Sequence, residues 1–489
     1  MAYLKDLLKQ VTYICTRGTM DCKVTHICHD SRQVVRGSMF ICLAGSREDG
    51  HDYLAQAIRK GAAVCVVSKH VWVEGDVTVI RVRNTSEAMA WIARNYYGAP
   101  AEAMQMIGIT GTKGKTTTAC MLYQMLKEAG VKCGLIGTLG IRRSDGLKKP
   151  GSNTTPDALV LQKELREMAD AGCSCCVMEV SSQGLKMHRV AGIVFDYGIF
   201  TNLSPDHIGP NEHASFEEYQ ECKSLLFRQC KEGIVNADDE HVDGIIKNHT
   251  CKLHTFSCKK DADLMAGAVG YLDEEGQIGM HFTTTGCMNV YAVVHIPGSF
   301  SVYNSLVTML TCHLAGISDE AILRGLDKVK VRGRVELVPV SKDFTVIIDY
   351  AHNEVSTRSV LTTLKEYHPK RLICVYGGGG NRSKLRRYDM GEVTGELADL
   401  SVLTCDNPRD EEIRDINSDI KIGLAKSNGK YIEIDDRKAA IKYCIENAKK
   451  GDMIVLLGKG HEDYQEIKGV KYHFDEREAI AEIKKELNL

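Results

Sequence analysis

Short apolar runs recur along the chain, each bounded by glycine or a polar side chain. They are residues 61–68 (GAAVCVVS), 105–110 (QMIGIT), 345–350 (TVIIDY), 371–376 (RLICVY) and 452–457 (DMIVLL). Runs this short and this rich in Val and Ile predict strands buried on both faces. Between them, residues 115–129 and 157–171 space their apolar positions by three and four, the period of a helix with one buried face. Strands alternating with helices predict an α/β protein with parallel sheets. Breakers mark two boundaries, Tyr97-Gly98-Ala99-Pro100 and Val331-Arg332-Gly333-Arg334, where helical patterns end before new strands. The expected division is therefore 1–98, 99–331 and 332–489. No internal repeat is visible, and 9 Pro in the whole chain leave no proline-rich linker. The charged stretch 475–489 predicts an amphipathic surface helix.

Length agrees with that division, since 489 residues at roughly 150 per domain give about three domains. Lys and Arg total 62 against 64 Asp and Glu, a net charge of −2. Such balance argues against a nucleic-acid coat or a polybasic membrane binder. The 19 cysteines are odd in number and scattered from Cys15 to Cys444, which predicts thiols used as small buried hydrophobes in a reducing cytoplasm. The opening MAYLKDLLKQ carries charges inside its apolar stretch and has no signal-peptide core. No uncharged apolar run reaches about 18 residues, so no spanning helix is expected. The expectation is a soluble, cytoplasmic, multidomain protein with no nucleic-acid coat role and no membrane insertion.

The sharpest local chemistry is Gly108-Ile109-Thr110-Gly111-Thr112-Lys113-Gly114-Lys115-Thr116-Thr117-Thr118. A buried strand enters a glycine-rich turn, and a helix follows. Successive backbone N–H groups of such a turn converge on phosphate oxygens, and the helix N-terminus adds partial positive charge. Lys115 would reach the β- and γ-phosphates and Thr116 would sit on Mg²⁺. The strict pattern wants a glycine where Ile109 stands. Glu179 ends the apolar run Val177–Val180, a position where open α/β sheets bind ligands. Taken singly, Glu179 could cap a helix, His207 could be a satisfied loop histidine and Lys223 a solvated helix charge.

Six motifs in order alter that balance: Thr110-Gly-Thr-Lys-Gly-Lys-Thr-Thr, Asn153-Thr154-Thr155-Pro156, Glu179-Val-Ser-Ser, Thr201-Asn-Leu-x-x-Asp206-His207, Asp349-Tyr-Ala-His352-Asn353 and Gly458-Lys-Gly-His-Glu462. Together they resemble the Mur ligases of peptidoglycan synthesis, in particular the tripeptide synthetase branch that adds the third amino acid. The resemblance spans about Asp30 to about Asp475. It implies an N-terminal domain that binds a UDP-sugar, a central P-loop ATPase with a parallel sheet, and a C-terminal Rossmann-like domain that takes the incoming amino acid. It also implies a reaction: a substrate carboxylate takes the γ-phosphoryl group of ATP, and an amine displaces phosphate from the acyl phosphate. Two anions must meet in such a step, so positive charge must be preorganised there.

Site residues carry over by the same resemblance. Lys115, Glu179, His207 and Lys223 match the catalytic set. Two Mg²⁺ are implied, one on Thr116 and Glu179, the other on His207 and a carbamylated Lys223. Gly111, Thr112, Lys113, Gly114, Lys115, Thr116 and Thr117 match the ATP phosphate loop, and Asn304, Arg334, Asp349, His352 and Asn353 match further nucleotide contacts. Ser31, Asn153, Thr154, Thr155, Ser181 and Arg189 match residues that hold UDP-N-acetylmuramoyl-L-alanyl-D-glutamate. Arg382, Asp406, Asn407, Arg409, Gly458 and Glu462 match the amino-acid pocket. Asp406-Asn407-Pro408-Arg409 matches the signature for meso-diaminopimelate, whose distal carboxylate an arginine fork grips in bidentate fashion. L-lysine has no such group, and a lysine-adding ligase is the alternative, as is a paralogue with an altered acceptor.

Several positions depart from the family pattern: Lys113 for Asn, Gln183 for His, Met187 for Gln, the stretch Ile208–His213, Glu354 for Pro, and Asn381-Arg382-Ser383 for Asp-Arg-Asp. His213 reads as an ordinary loop histidine. Cys173-Ser174-Cys175-Cys176 lacks zinc spacing and reads as buried structural thiols. Gly377–Gly380 lacks the GxGxxG spacing of a dinucleotide site.

Overall fold

The computed structural model describes residues 2–45, 48–151, 153–209, 212–274 and 277–489. Contacts group the chain into two compact units. The first holds residues 1–265, 286–288 and 306–325, the second 266–285, 289–305 and 326–489. Pro210 and Asn211, in the divergent stretch after His207, lie outside the described residues.

The first unit contains two sheets. Strands Tyr13–Arg17, Thr78–Val82, Ala62–Val67, Ser38–Ile41 and His26–Cys28 adjoin in that order, parallel except for the first pair. Helix Thr85–Tyr96 buries Ala88, Met89, Ile92 and Ala93 in the core of this sheet. In the second sheet, Gln105–Thr110 lies between Cys175–Glu179 and Phe195–Phe200, both parallel to it. Cys133–Gly137 flanks one side, and Cys230–Asn236 and Lys252–Ser257 flank the other, all parallel. These strands are buried on both faces, as their uninterrupted apolar runs require. Helices Lys115–Glu128 and Ala158–Asp170 fall where apolar periodicity predicts them. Asp157 caps the second by accepting the N–H groups of Leu159 and Val160. Cys173, Cys175 and Cys176 are buried, as read from the sequence.

The second unit carries a sheet ordered Glu336–Val338, Thr345–Asp349, Asp452–Leu457, Arg371–Tyr376, Leu400–Leu403 and Tyr431–Glu433. All neighbours are parallel except the first pair. The edge strand 336–338 has no clear apolar signal, since all three of its residues are only half-buried. The final helix, Glu476–Leu487, is amphipathic as expected, burying Ala479, Ile480 and Ile483 and exposing its opposite face; it also takes Glu476 inside. Among the described residues, no helix is long and apolar enough to cross a membrane.

Candidate functional site

In the first unit the predicted phosphate-loop residues gather at the carboxyl ends of the central strands. Gly111 has φ +148°, and a Cβ there would stand 2.0 Å from Thr201 Oγ1. Gly114 has φ +83° and precedes the helix that starts at Lys115. Only glycine accepts both demands without strain. Asn202 braces the loop: its carbonyl accepts the Thr112 N–H at 2.8 Å and its Oδ1 the Lys113 N–H at 2.9 Å. Lys113, which departs from the family pattern, reaches outward to Asp206 at 3.0 Å. Lys115 Nζ donates to the carbonyls of Gly111 and Thr112. Thr116 and Thr117 are buried on the first turn of the helix.

Glu179 closes the other side. Its carboxylate accepts the Thr116 hydroxyl at 2.9 Å and the Thr138 N–H at 2.8 Å. A Cβ at Gly137 would meet Glu179 Oε1 at 2.3 Å, so this approach needs glycine. Thr138, which the sequence reading missed, links the carboxylate to Thr154, with its Oγ1 3.1 Å from that hydroxyl. Thr155 is buried, with its Oγ1 2.9 Å from the Glu179 carbonyl, and it accepts the Ser181 N–H. Ser181 caps helix Ser182–Lys186. Thr154, Thr155, Ser181 and Glu179 therefore form one continuous patch. Arg189 joins it through the Thr155 carbonyl at 2.8 Å. Among the described residues Arg189 pairs with no carboxylate, and burial lowers its pKa. A half-buried guanidinium without an acid suits an anionic ligand. Asn153 is exposed beside this patch. Ser31 lies elsewhere, buried in the N-terminal sheet region with its hydroxyl on Gln56.

Lys223 is not a solvated charge. Its side chain is 1% exposed, and Nζ donates to the Gly111 carbonyl at 2.8 Å, the carbonyl that Lys115 also holds. Burial, then the nearby Lys115 charge, pushes its pKa well below the usual lysine range. His207 is half exposed, has φ +55°, and bonds Glu212 through Nδ1 at 3.0 Å. His213 is not an ordinary loop histidine: it is fully buried, with Nε2 2.9 Å from the Ser182 hydroxyl and Nδ1 3.9 Å from the Glu218 carboxylate, beyond hydrogen-bond reach. Its burial depresses its pKa.

In the second unit, a cavity of about 120 Å³ opens at the carboxyl ends of the central strands. All six predicted amino-acid residues line it: Arg382, Asp406, Asn407, Arg409, Gly458 and Glu462. Each belongs to a loop that leaves a strand of the same sheet, the place where open α/β sheets bind ligands. The cavity combines carboxylates, Asp406 and Glu462, with the guanidinium groups of Arg382, Arg386 and Arg409. Arg409 has φ +50°, donates to the Gly380 carbonyl at 2.7 Å and pairs with Glu466 at 3.2 Å. Gly458 has φ +104°, and a Cβ there would meet Asp406 Oδ2 at 2.2 Å.

The predicted nucleotide residues of this unit show local structural roles. Asp349 accepts the N–H groups of Val335 and Ala351, each at 2.7 Å, and burial raises its pKa. Asn353 caps helix Glu354–Lys365. His352 donates through its Nδ1–H to the Tyr350 carbonyl, 2.8 Å away, and burial lowers its pKa. The Arg334 guanidinium lies 4.9 Å from the centre of the Tyr350 ring, a cation–π contact. Asn304 is buried on helix Ser299–Leu314.

Comparison with known proteins decides the family. The Mur ligase family catalytic domain matches residues 23–97, the Mur ligase middle domain residues 109–312, and the Mur ligase glutamate ligase domain residues 333–460. The chain belongs to the Mur ligase family. A curated relative from Clostridium tetani, named UDP-N-acetylmuramoyl-L-alanyl-D-glutamate--2,6-diaminopimelate ligase, is 41% identical over 99% of both chains. One of the same name from Clostridium perfringens is 39% identical, over 98% of this chain and 99% of its own. A solved structure of a ligase with that name aligns with a TM-score of 0.71 at 28% identity, covering 95% of this chain and 96% of its own.

Three residues that support this Mur ligase architecture escaped the sequence reading. Arg387 is buried, pairs with Glu411 and Asp419, and donates to the Gly379 carbonyl beside the cavity. Arg437 is fully buried against Glu476 and donates to the carbonyls of Cys405 and Leu457, the residues just before Asp406 and Gly458. Lys459 is buried beneath the cavity among Asp406, Asn407 and Glu462. Nothing in the local sequence marks any of the three as internal, because a charged residue on a helix or loop is ordinarily solvated.

Proposed function

We propose that the chain is an ATP-dependent ligase that joins meso-diaminopimelate to UDP-N-acetylmuramoyl-L-alanyl-D-glutamate in peptidoglycan synthesis. The observation that carries the reading is the charge pattern of the second unit's cavity, where Asp406 and Glu462 stand with Arg382, Arg386 and Arg409. Diaminopimelate has an ammonium and a carboxylate at each end, and this cavity offers partners for both kinds. L-lysine would leave a guanidinium unmatched.

The proposed roles follow the family resemblance, and the geometry of the loop and patch supports them. The phosphate loop from Gly111 to Thr117, with Lys115, holds the triphosphate, and by the family resemblance Asn304, Arg334, Asp349, His352 and Asn353 are proposed as further nucleotide contacts. Ser31, Asn153, Thr154, Thr155, Ser181 and Arg189 hold the UDP-linked dipeptide. Hydroxyl and carboxylate oxygens 2.9 Å apart on Thr116 and Glu179 suit a hard cation. Mg²⁺ takes few protein ligands when substrate phosphates supply the rest, so this pair fits one ion. His207 and Lys223 fit a second only if Lys223 carries a carbamate. The buried amine favours that change: uncharged, it adds CO₂, loses a proton and becomes an anion. Bound Mg²⁺ supplies charge neutralisation at the phosphates. Lys115 adds a fixed cation there, and the dipeptide carboxylate takes the γ-phosphoryl group as ADP leaves. The diaminopimelate amine, set by the cavity, then displaces phosphate.

We assign residues 1–98, 99–331 and 332–489 to UDP-sugar, ATPase and amino-acid domains in a monomeric, cytoplasmic enzyme. Most of the nineteen cysteines are buried, in keeping with their use as small hydrophobes. The test is the mass of the product formed from the UDP-linked dipeptide, ATP and diaminopimelate. Gain of one diaminopimelate less one water supports the reading, and an unchanged acceptor refutes it.

A further inference from the structure

The loop that carries Gly458 and Glu462 turns a lysine inward between two glycines. Gly458 and Gly460 have φ +104° and +52°, and a Cβ at Gly460 would lie 2.6 Å from the Tyr350 Cβ. Lys459, between them, has a side chain that is 0% exposed. Its Nζ donates to Asn407 Oδ1 at 2.9 Å, to Glu462 Oε2 at 3.2 Å and to the Tyr464 carbonyl, and lies 3.8 Å from Asp406 Oδ1. One buried cation therefore touches three residues of the cavity wall.

An ammonium has donors only, so Asn407 must present its oxygen to it. The Glu466 N–H donates to the same Oδ1 at 2.9 Å. The amide nitrogen is thereby turned to Glu462, where it donates to Oε2 at 2.9 Å. Oε2 is then doubly occupied. Among the described residues Oε1 has only the Tyr350 hydroxyl, at a long 3.5 Å, and is the oxygen left for a ligand. The electrostatic consequence is equally specific. Asp406 and Glu462 are two carboxylates on one small cavity, and Lys459 offsets one of those charges from below.

We propose that Lys459 is a positioning residue that sets amino-acid selectivity: it fixes the Asn407 amide and the Glu462 carboxylate, and holds the cavity's charge at the value that suits a net-neutral diamino-dicarboxylate. The inference rests on the amino-acid pocket reading above. Without Lys459 the cavity is one charge more negative. That shift weakens the preference for neutral diaminopimelate relative to a net-cationic amino acid such as L-lysine.

The test compares wild type with Lys459→Met, using ATP, the UDP-linked dipeptide and either amino acid. If wild type does not use diaminopimelate, the pocket reading itself falls, whatever the variant does. If it does, Lys459→Met is expected to raise the KM for diaminopimelate about ten-fold or more, the cost of a lost charge-assisted bond. The KM for ATP should hold within about two-fold, and the diaminopimelate-to-lysine ratio of kcat/KM should fall about ten-fold. An unchanged ratio overturns the proposal, even with lower activity throughout, because a merely structural lysine would weaken both substrates alike. Should Lys459→Met not fold, Glu462→Gln is compared with Lys459→Met/Glu462→Gln, which leaves one carboxylate fewer to compensate. A residue acting through Glu462 should then add less than about three-fold to the KM. A full ten-fold addition, or a double variant that also fails to fold, overturns it.

Discussion

Lys115 and Lys223 both donate to the Gly111 carbonyl, and two amines so close make each other's charge costly. Lys223, the buried one, yields first. Lys223→Ala is expected to lose ligase activity and to recover part of it with short carboxylic acids, which restore an anion where the carbamate would stand. Full activity without additives would refute the carbamate. Lys115→Ala should abolish turnover while UDP-linked dipeptide binding, read by calorimetry, stays near wild type. Arg409→Ala should raise the KM for diaminopimelate tens-fold, since a lost charge-assisted bond costs roughly 1.5–3 kcal/mol. An unchanged KM would remove Arg409 from the pocket. At this scale the sequence was partly legible. Lys115, Thr116 and Glu179 announce themselves, because a glycine turn and a strand end fix where their side chains go. The burial of Lys223 does not, because its helix reads FEEYQECKS and looks solvated. His213 and Lys459 were hidden for a related reason. A histidine or lysine in a loop is ordinarily solvated, so residue type alone does not mark either as buried.

At the scale of elements, two buried arginines hold the loops of the second unit's cavity. Arg437 pairs with Glu476 and ties the ends of two strands through the carbonyls of Cys405 and Leu457. Arg437→Met should destabilise the fold by about 3–5 kcal/mol, since it strands a buried carboxylate. Arg437→Met/Glu476→Leu should recover most of that loss in urea unfolding, and a double variant no more stable than the single would contradict the account. Arg387 holds the Glu411 carboxyl well below its ordinary 4.5, down to about 2. A depressed folded-state pKa contributes stability that is present above the ordinary value and lost as pH falls from about 4.5 through about 2. Glu411→Gln should therefore lose less stability than wild type over that interval, and equal losses would contradict the pairing. Strands were the most legible elements, with Gln105–Thr110, Arg371–Tyr376 and Asp452–Leu457 falling where the apolar runs lie. The final helix was legible as an amphipathic helix, but the burial of its first glutamate was not. Its charged pattern hides a glutamate whose partner lies 39 residues earlier.

For the whole molecule, the proposed reaction couples phosphoryl transfer from ATP to amide formation with diaminopimelate. The six ordered motifs made this claim legible, because each is a separate solution to phosphate, carboxylate or amine binding. Its specificity rests on side-chain pairs that no motif states. The direct measurement is phosphate release from ATP in the presence of the UDP-linked dipeptide, with meso-diaminopimelate and L-lysine compared side by side. The account predicts release that needs both acceptor and diaminopimelate, with L-lysine far weaker. Equal or faster release with L-lysine, or release that needs no amino acid, would contradict it.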